Sequence, residues 1–472
     1  VEDLVATPAP PRQRWSREQQ AVVAACVAVG ALVRCWALDR SLLTFDETFT
    51  ANIARLAPGD IPAALRSSDS HPPLDYLLRH LVVGPQSTFW LRFPSAVIGV
   101  LTLGVVLWWM WNRGWFGVLV VAFTCFAAIE VLYSRQARMY AIVILAGTVV
   151  AAVTERWLER PRSRWAVVAA AALFVGSLAH TSVLLLAMGA LFVPGRRTDR
   201  PAWVWRAAAA VAVLAWLVVW GPSFLREREV ERASWIPFTS FRTAAEAIAG
   251  QVSLYNGLAV LIALAVVAGG VVLVRDRPRL GRVWLCLFAA PAAVEILLGL
   301  RAHLLLPRSL AFAAWAPVVA LAALAAACVD GDPWPTGLSS SAAVRGAGLV
   351  AVVLLAVPSV GAAFSYEEDS APARRALVER AQPGDAVVVH PRFLGPMLRW
   401  DNGVTDDQPV AGFADVDAWS ALVPGAPPTG RAWVLVPDTY SFHPPPSYVA
   451  CDGVTAAVEG HYSVSCLERT SS

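Results

Sequence analysis

Two short acidic motifs carry the chemistry that this sequence could perform. Phe45-Asp46-Glu47-Thr48-Phe49 puts two carboxylates at the head of a segment in which Phe45, Phe49, Ile53 and Leu56 recur at helical spacing. A carboxylate at the edge of an apolar surface is suited to take a proton from a hydroxyl. The plain alternative is an acidic pair that complements the dipole of a helix start. Further on, Asp69-Ser70-His71-Pro72-Pro73-Leu74 holds an acid and an imidazole in a stretch whose backbone two prolines stiffen. Leu74, Leu77, Leu78 and Leu81 then mark one apolar face. Asp75 and Arg79 are expected to pair on its opposite, exposed side, which gives Asp75 a structural role.

A third motif is basic. Tyr133-Ser134-Arg135-Gln136-Ala137-Arg138-Met139-Tyr140 lies between two apolar runs. Arg135 and Arg138 on a helix would share one side and could bind an anion such as a lipid phosphate; snorkelling to headgroups is the alternative. His180 and Arg308 add to the same positive rim. All 38 basic side chains are arginines, since no lysine occurs. Any anion held by a side chain is therefore held by Arg or His, and Arg offers a permanently charged fork.

The elements that must position these groups are membrane helices. With 57% hydrophobic and 15% charged residues, the chain is too apolar for one soluble core. Its apolar runs are continuous Ala, Val and Leu near the length that crosses a bilayer, whereas a β-barrel would alternate over about ten residues. A proline-rich, basic stretch at 1–20 is expected to be disordered. A helical membrane domain follows over 21–363, with about eleven spans and polar stretches at 39–91 and 221–257. If the amino end is cytoplasmic, the arginine clusters Glu155 to Arg164, Arg196 to Arg206 and Arg275 to Arg282 fall inside, as the positive-inside rule requires. Both polar stretches and the carboxyl tail then share the outer face. The cluster Leu225 to Arg232 falls outside, with its arginines interleaved by glutamates.

The tail, 365–472, reads as a small extracytoplasmic α/β domain, with short β-type runs at Ala386 to His390 and Ala432 to Pro437. It shows no evident acid and base pair, so a cap or an acceptor-binding part is expected. Cys451 and Cys466 are the only cysteines there, and their closeness suits a disulfide in an oxidising compartment. The other five lie in or beside apolar runs as small hydrophobes. The net charge of +3 leaves no footprint for nucleic acid.

An Asp-Glu pair opening the first outer stretch, Asp-x-His-Pro-Pro-Leu, the Arg-x-x-Arg-x-Tyr junction and a soluble outer tail together resemble the GT-C superfamily of polyprenyl-phosphate-sugar glycosyltransferases. Protein O-mannosyltransferases and lipid A aminoarabinose transferases are the nearest in pattern. The resemblance implies a polytopic helical fold, a polyprenyl-phosphate sugar donor, and a glycan, glycolipid or protein acceptor at the cell membrane. It implies that Asp46 is the catalytic base, that Asp69 and His71 shape the donor pocket, and that Arg138 touches the donor phosphate. Glu47, Arg135, Tyr140, His180 and Arg308 complete the substrate-binding set. Asp75-Tyr76 stands where the mannosyltransferases carry Gly-Lys, which favours a lipid or polysaccharide acceptor.

The expected reaction is one inverting displacement in which the lipid phosphate leaves and needs no general acid. The sequence points to no particular cofactor; a divalent ion near Asp46, Asp69 and His71 is compatible with those ligands, which would also serve without one. No dinucleotide-type glycine loop stands in a βαβ setting. Two rivals stand beside this reading. A flippase for a lipid-linked sugar would place charges in mid-membrane around broken helices, whereas these charges gather at one rim. A non-catalytic envelope-assembly subunit would owe its role to the tail.

Overall fold

The computed structural model describes residues 14–68, 71–83, 87–193, 202–223, 238–254, 256–302 and 305–330 of the helical part. In the tail it describes 361, 370–382, 385–389, 397, 420–421, 430–437, 448–451, 457–459 and 462–469. The segment Leu225 to Arg232, the last expected span at Gly346 to Ala363 apart from Gly361, and Asp69 lie outside the described residues.

Among the described residues, five helices are long and apolar enough to cross a bilayer: α1 (Arg17–Cys35), α5 (Thr88–Met110), α8 (Tyr140–Glu159), and the segments Ala259–Asp276 and Pro278–Gly299. The shortest has 18 residues, about 27 Å of rise. α1 starts at Arg17, ahead of the apolar run, because Ser16 and Gln19 form a capping box: the Gln19 amide donates to Ser16 Oγ at 3.2 Å, and the Ser16 amide donates to Gln19 Oε1 at 3.0 Å. The expected disordered stretch at 1–20 therefore gives way to helix at its end. Within Pro278–Gly299, a π-helical turn at Leu285–Ala289 precedes Pro291, which has no amide to donate back along the helix. The apolar helices α9 (Ser163–Ser177), α10 (Val183–Leu191) and α11 (Ala202–Val219) add to these among the described residues, and the chain is a multi-pass membrane protein.

Two expected spans are broken instead of straight. The run Trp115 to Tyr133 forms α6 (Gly114–Phe126) and α7 (Ala128–Ser134), bent by 47°. The run Leu310 to Cys328 forms a 3-10 turn at Pro307–Ala313, bent by 72° from the helix beginning at Trp315. Counting each pair as one span gives up to seven.

Arg34 supports the first break. Ala127 leaves the helix with φ −57° and ψ 131°, and the Ala128 amide donates to the Val252 carbonyl at 3.3 Å. The Thr124 and Cys125 carbonyls instead accept from Arg34, Nη2 at 3.0 Å and Nη1 at 2.8 Å; Nη1 also reaches the Gly30 carbonyl at 3.0 Å. Arg34 is fully buried, and Glu130 Oε2 lies 3.9 Å from its Nη2. Broken backbone at membrane depth survives where protein groups satisfy its polar atoms, and the guanidinium does that here. Gly99 lets the elements approach, since a Cβ there would meet Ser134 Cβ and Arg34 Cδ at 2.5 and 3.1 Å. A buried ion pair in the last turn of α1 thus joins it to a broken span.

The chain divides into two compact units. One holds 1–36, 69–75 and 92–364; the other holds 37–68, 76–91 and 365–472. In the second unit lie α2 (Phe45–Ala54), α3 (Ile61–Ser68) and most of α4 (Leu74–His80). With ten residues in α2 and seven in α4, neither can span a bilayer. Asp75 and Arg79 are not an exposed pair: they are 2% and 0% exposed, and the Arg79 guanidinium donates to the Leu91 carbonyl. The helix thus turns its polar face inward, while Leu74, Leu77 and Leu78 are half-buried and Leu81, just past its end, is 77% exposed.

Among the described residues the tail forms a six-stranded sheet in the order β2-β1-β3-β6-β4, with β5 also on β6. The strands are β1 (Ala386–Val389), β2 (Ser420–Ala421), β3 (Arg431–Pro437), β4 (Tyr448–Ala450), β5 (Ala457–Glu459) and β6 (Tyr462–Arg469). β1 and β3 are parallel, and the other pairs are antiparallel. β3 is buried on both faces: Trp433 and Leu435 face a core with Ala373 and Leu377 of the helix Ala371–Arg380, while Ala432, Val434 and Val436 share a cluster with Leu467. The Trp433 indole donates to the fully buried Asp385 Oδ2 at 2.8 Å. A disulfide joins Cys451 and Cys466, with Cα atoms 5.4 Å apart. Replacing both cysteines with Ser should cost this domain roughly 3 kcal/mol, the entropy that a loop of such length otherwise removes from the unfolded chain. Thermal unfolding with and without reductant measures it, and an unchanged midpoint would refute it.

Candidate active site

The acidic motif belongs to the second unit. α2 begins with a capping box in which the Glu47 amide donates to Thr44 Oγ1 at 3.3 Å and Glu47 Oε2 accepts from the Thr44 amide at 3.0 Å. Glu47 is fully buried. The two acids are thereby differentiated by position: Glu47, at the third helical residue, closes the helix start, and the half-buried Asp46 stands one residue before it. Helix period alone sets this division, because only the third residue's side chain reaches back to the cap amide. The Thr50 hydroxyl donates to the Asp46 carbonyl at 2.8 Å and tightens the same turn. Later in the unit, the His80 Nδ1–H donates to the Ala54 carbonyl at 2.8 Å, and Phe49 meets Tyr76 edge to face at 6.4 Å. These contacts tie the end of α2 to α4.

The basic and aromatic residues belong to the first unit, where the structure brings several of them together. The rings of His71 and His180 are 5.1 Å apart, His180 and Tyr140 are 5.4 Å apart, and Tyr140 and Tyr133 are 4.4 Å apart. The Leu74 amide donates to the Leu178 carbonyl at 3.2 Å and so fixes the Pro-Pro turn beside His180. His180 Nδ1 accepts from the Ser182 amide at 3.1 Å and lies 2.8 Å from Ser182 Oγ. An Nδ1 that accepts from an amide leaves the ring proton of the neutral imidazole on Nε2, so His180 can present an N–H donor from its far edge.

Arg135 and Arg138 do not lie on one helix, as their spacing suggested. α7 ends at Ser134, α8 begins at Tyr140, and the residues between form bends. Arg135 is committed to the backbone: its Nη1 donates to the Val33 and Trp36 carbonyls at 2.6 and 2.7 Å, closing the carboxyl end of α1. Burial, with the positive charge of Arg92 beside it, lowers its pKa to about 10, so it remains cationic at neutral pH. Arg138 is buried to 5% exposure in the same segment, two positions before the stacked Tyr140. Arg308 is half-buried as the second residue of the 3-10 turn Pro307–Ala313. That turn packs on α8, where a Cβ on Gly147 would overlap the Phe312 carbonyl.

Sequence reasoning missed Arg34 and Glu130, and gave Tyr133 no role of its own. The signal for the first two was present as an ionisable residue at the end of one apolar run and another inside a second, which in a membrane segment calls for a partner. Glu130 is 2% exposed, and its Oε1 has no hydrogen-bond partner among the described residues. No three His, Cys, Asp or Glu side chains among the described residues converge as a metal site, and Asp69, one of the expected ligands, is not among those residues.

These elements define a polytopic helical membrane protein with a small α/β tail, the fold expected from the GT-C resemblance. No protein-family model and no curated protein matches the chain. Among solved structures, the chain is similar to ArnT from Cupriavidus metallidurans bound to undecaprenyl phosphate, with a TM-score of 0.56 and 14% identity over 95% of this chain and 98% of that one. The apo state of the same ArnT gives 0.56 and 15% over the same shares. The apo oligosaccharyltransferase of Archaeoglobus fulgidus gives 0.50 and 10%, over 84% of this chain and 64% of that one.

Proposed function

We propose that this chain is an inverting glycosyltransferase that moves a sugar from a polyprenyl-phosphate donor to a cell-envelope acceptor on the outer face of the membrane. The observation that carries this reading is the fold likeness to ArnT, which runs through nearly the whole of both chains and includes a structure bound to undecaprenyl phosphate. In the mechanism, Asp46 takes the proton of an acceptor hydroxyl as that oxygen attacks the anomeric carbon, and the lipid phosphate departs. Arg138 and the His180 Nε2–H are the donors assigned to the phosphate. Arg135, held by two carbonyls, contributes its charge and holds the segment in place. Asp69, His71 and Arg308 are assigned to the donor pocket, and Glu47 to the helix start that presents Asp46. The amino end is cytoplasmic, the tail is outside, and about eleven spans lie between them.

A strain lacking this protein should accumulate a polyprenyl-phosphate sugar and lose one envelope glycan modification. Unchanged glycans and sugar lipids would refute the reading. The broken span with its buried Arg34–Glu130 pair favours a second reading, a flippase for a lipid-linked sugar. That reading requires the purified protein in proteoliposomes to move labelled sugar lipid across the bilayer without consuming it. The glycosyltransferase reading requires consumption.

A further inference from the structure

The tail has no group in the chemistry proposed above, yet it holds the start of α2. The Arg374 Nη2 of the tail helix donates to the Leu43 carbonyl at 2.8 Å, across 331 positions of sequence. Both residues are 1% exposed. Two positions on, Phe45 packs on the tail's core cluster, which includes Ala373, Leu377, Trp433, Leu435 and the disulfide pair Cys451 and Cys466. Thr44, between these contacts, is the N-cap of α2, and Asp46 follows directly. The direction in which a helix leaves its cap is set by the residues on either side of that cap. Here both of those residues are fixed by the tail.

We propose that the C-terminal domain is a positioning element for Asp46, in which Arg374 and the apolar core beneath Phe45 fix the first turn of α2. This rests on Asp46 being the general base. The bond from Arg374 is charge-assisted and buried, which is the kind that holds geometry most firmly. The contact with Phe45 transmits the rigidity of a disulfide-linked sheet to the residue beside the carboxylate. The domain thus serves the reaction without touching the reacting atoms.

The test uses the full-length protein in nanodiscs, with hydrogen exchange read separately over α2, β3 and α8. It also uses undecaprenyl phosphate as the binding probe and restoration of the envelope glycan in the deletion strain as the product readout. Arg374→Gln and Phe45→Ala should each speed exchange in the first turns of α2 at least tenfold and lower product at least tenfold. Exchange in β3 and α8 should stay unchanged, and probe affinity should stay within threefold. Phe45→Leu, which keeps the apolar contact, should restore most of the protection and product. Unaltered α2 exchange in both variants overturns the proposal. So does equal loosening of β3, which would make these side chains mere stabilisers of the tail. If α2 loosens as expected but Asp46→Asn retains full product, the tail's hold on α2 stands and the assignment of the base falls.

Discussion

Asp46→Asn is expected to lower turnover by about 10² to 10⁴-fold while affinity for undecaprenyl phosphate stays within a few fold. The amide keeps the carboxylate's shape but cannot accept the proton of the acceptor hydroxyl. Because Glu47 is committed to the cap of α2, it cannot take over the role without unwinding the helix start. Arg138→Ala should act in the opposite sense, losing a charge-assisted contact of about 1.5 to 3 kcal/mol and weakening the phosphate lipid by roughly ten- to a hundredfold. An exposed Asp75–Arg79 pair would make Asp75→Asn a silent control, but Asp75 is buried and unsuitable for that purpose. Asp276, paired with Arg275 at a side-chain exposure of 41%, is the better one. Normal turnover in the Asp46 variant would move the base elsewhere.

Arg34→Ala is expected to destabilise the membrane unit by about 3 to 5 kcal/mol, the usual cost of removing one partner of a buried ion pair. The structure permits a sharper statement. Arg34 makes three bonds to carbonyls and only a 3.9 Å contact with Glu130, so most of its contribution should come from capping the broken backbone at Thr124 and Cys125. Glu130→Gln alone should therefore cost much less. The double variant Arg34→Met with Glu130→Leu should remain nearly as unstable as Arg34→Ala, because the two carbonyls stay unsatisfied in an apolar setting. Thermal unfolding in detergent measures all of these. Recovery in the double variant would show that charge pairing, and not carbonyl capping, is the role of Arg34.

The amino-acid sequence by itself determined the membrane class, the short helices after the first span, two of the tail strands and the residues of the Asp-Glu and Asp-x-His-Pro-Pro-Leu motifs. These follow from local rules: continuous apolar runs demand lipid, period decides helix or strand, and Ser16 or Thr44 followed three residues later by Gln19 or Glu47 starts a helix. Tertiary structure alone decided that the third span breaks at Ala127, where neither proline nor glycine marks the site. The groups that make the break tolerable, Arg34 and the Val252 carbonyl, lie about 90 and 124 positions away. It likewise decided that Arg135 closes α1 and that Arg374 holds the residue before the cap of α2. Backbone carbonyls carry no side-chain identity, so no spacing in the sequence reveals which arginine will find them. Only the folded chain, in which every buried polar group must be satisfied, makes that choice.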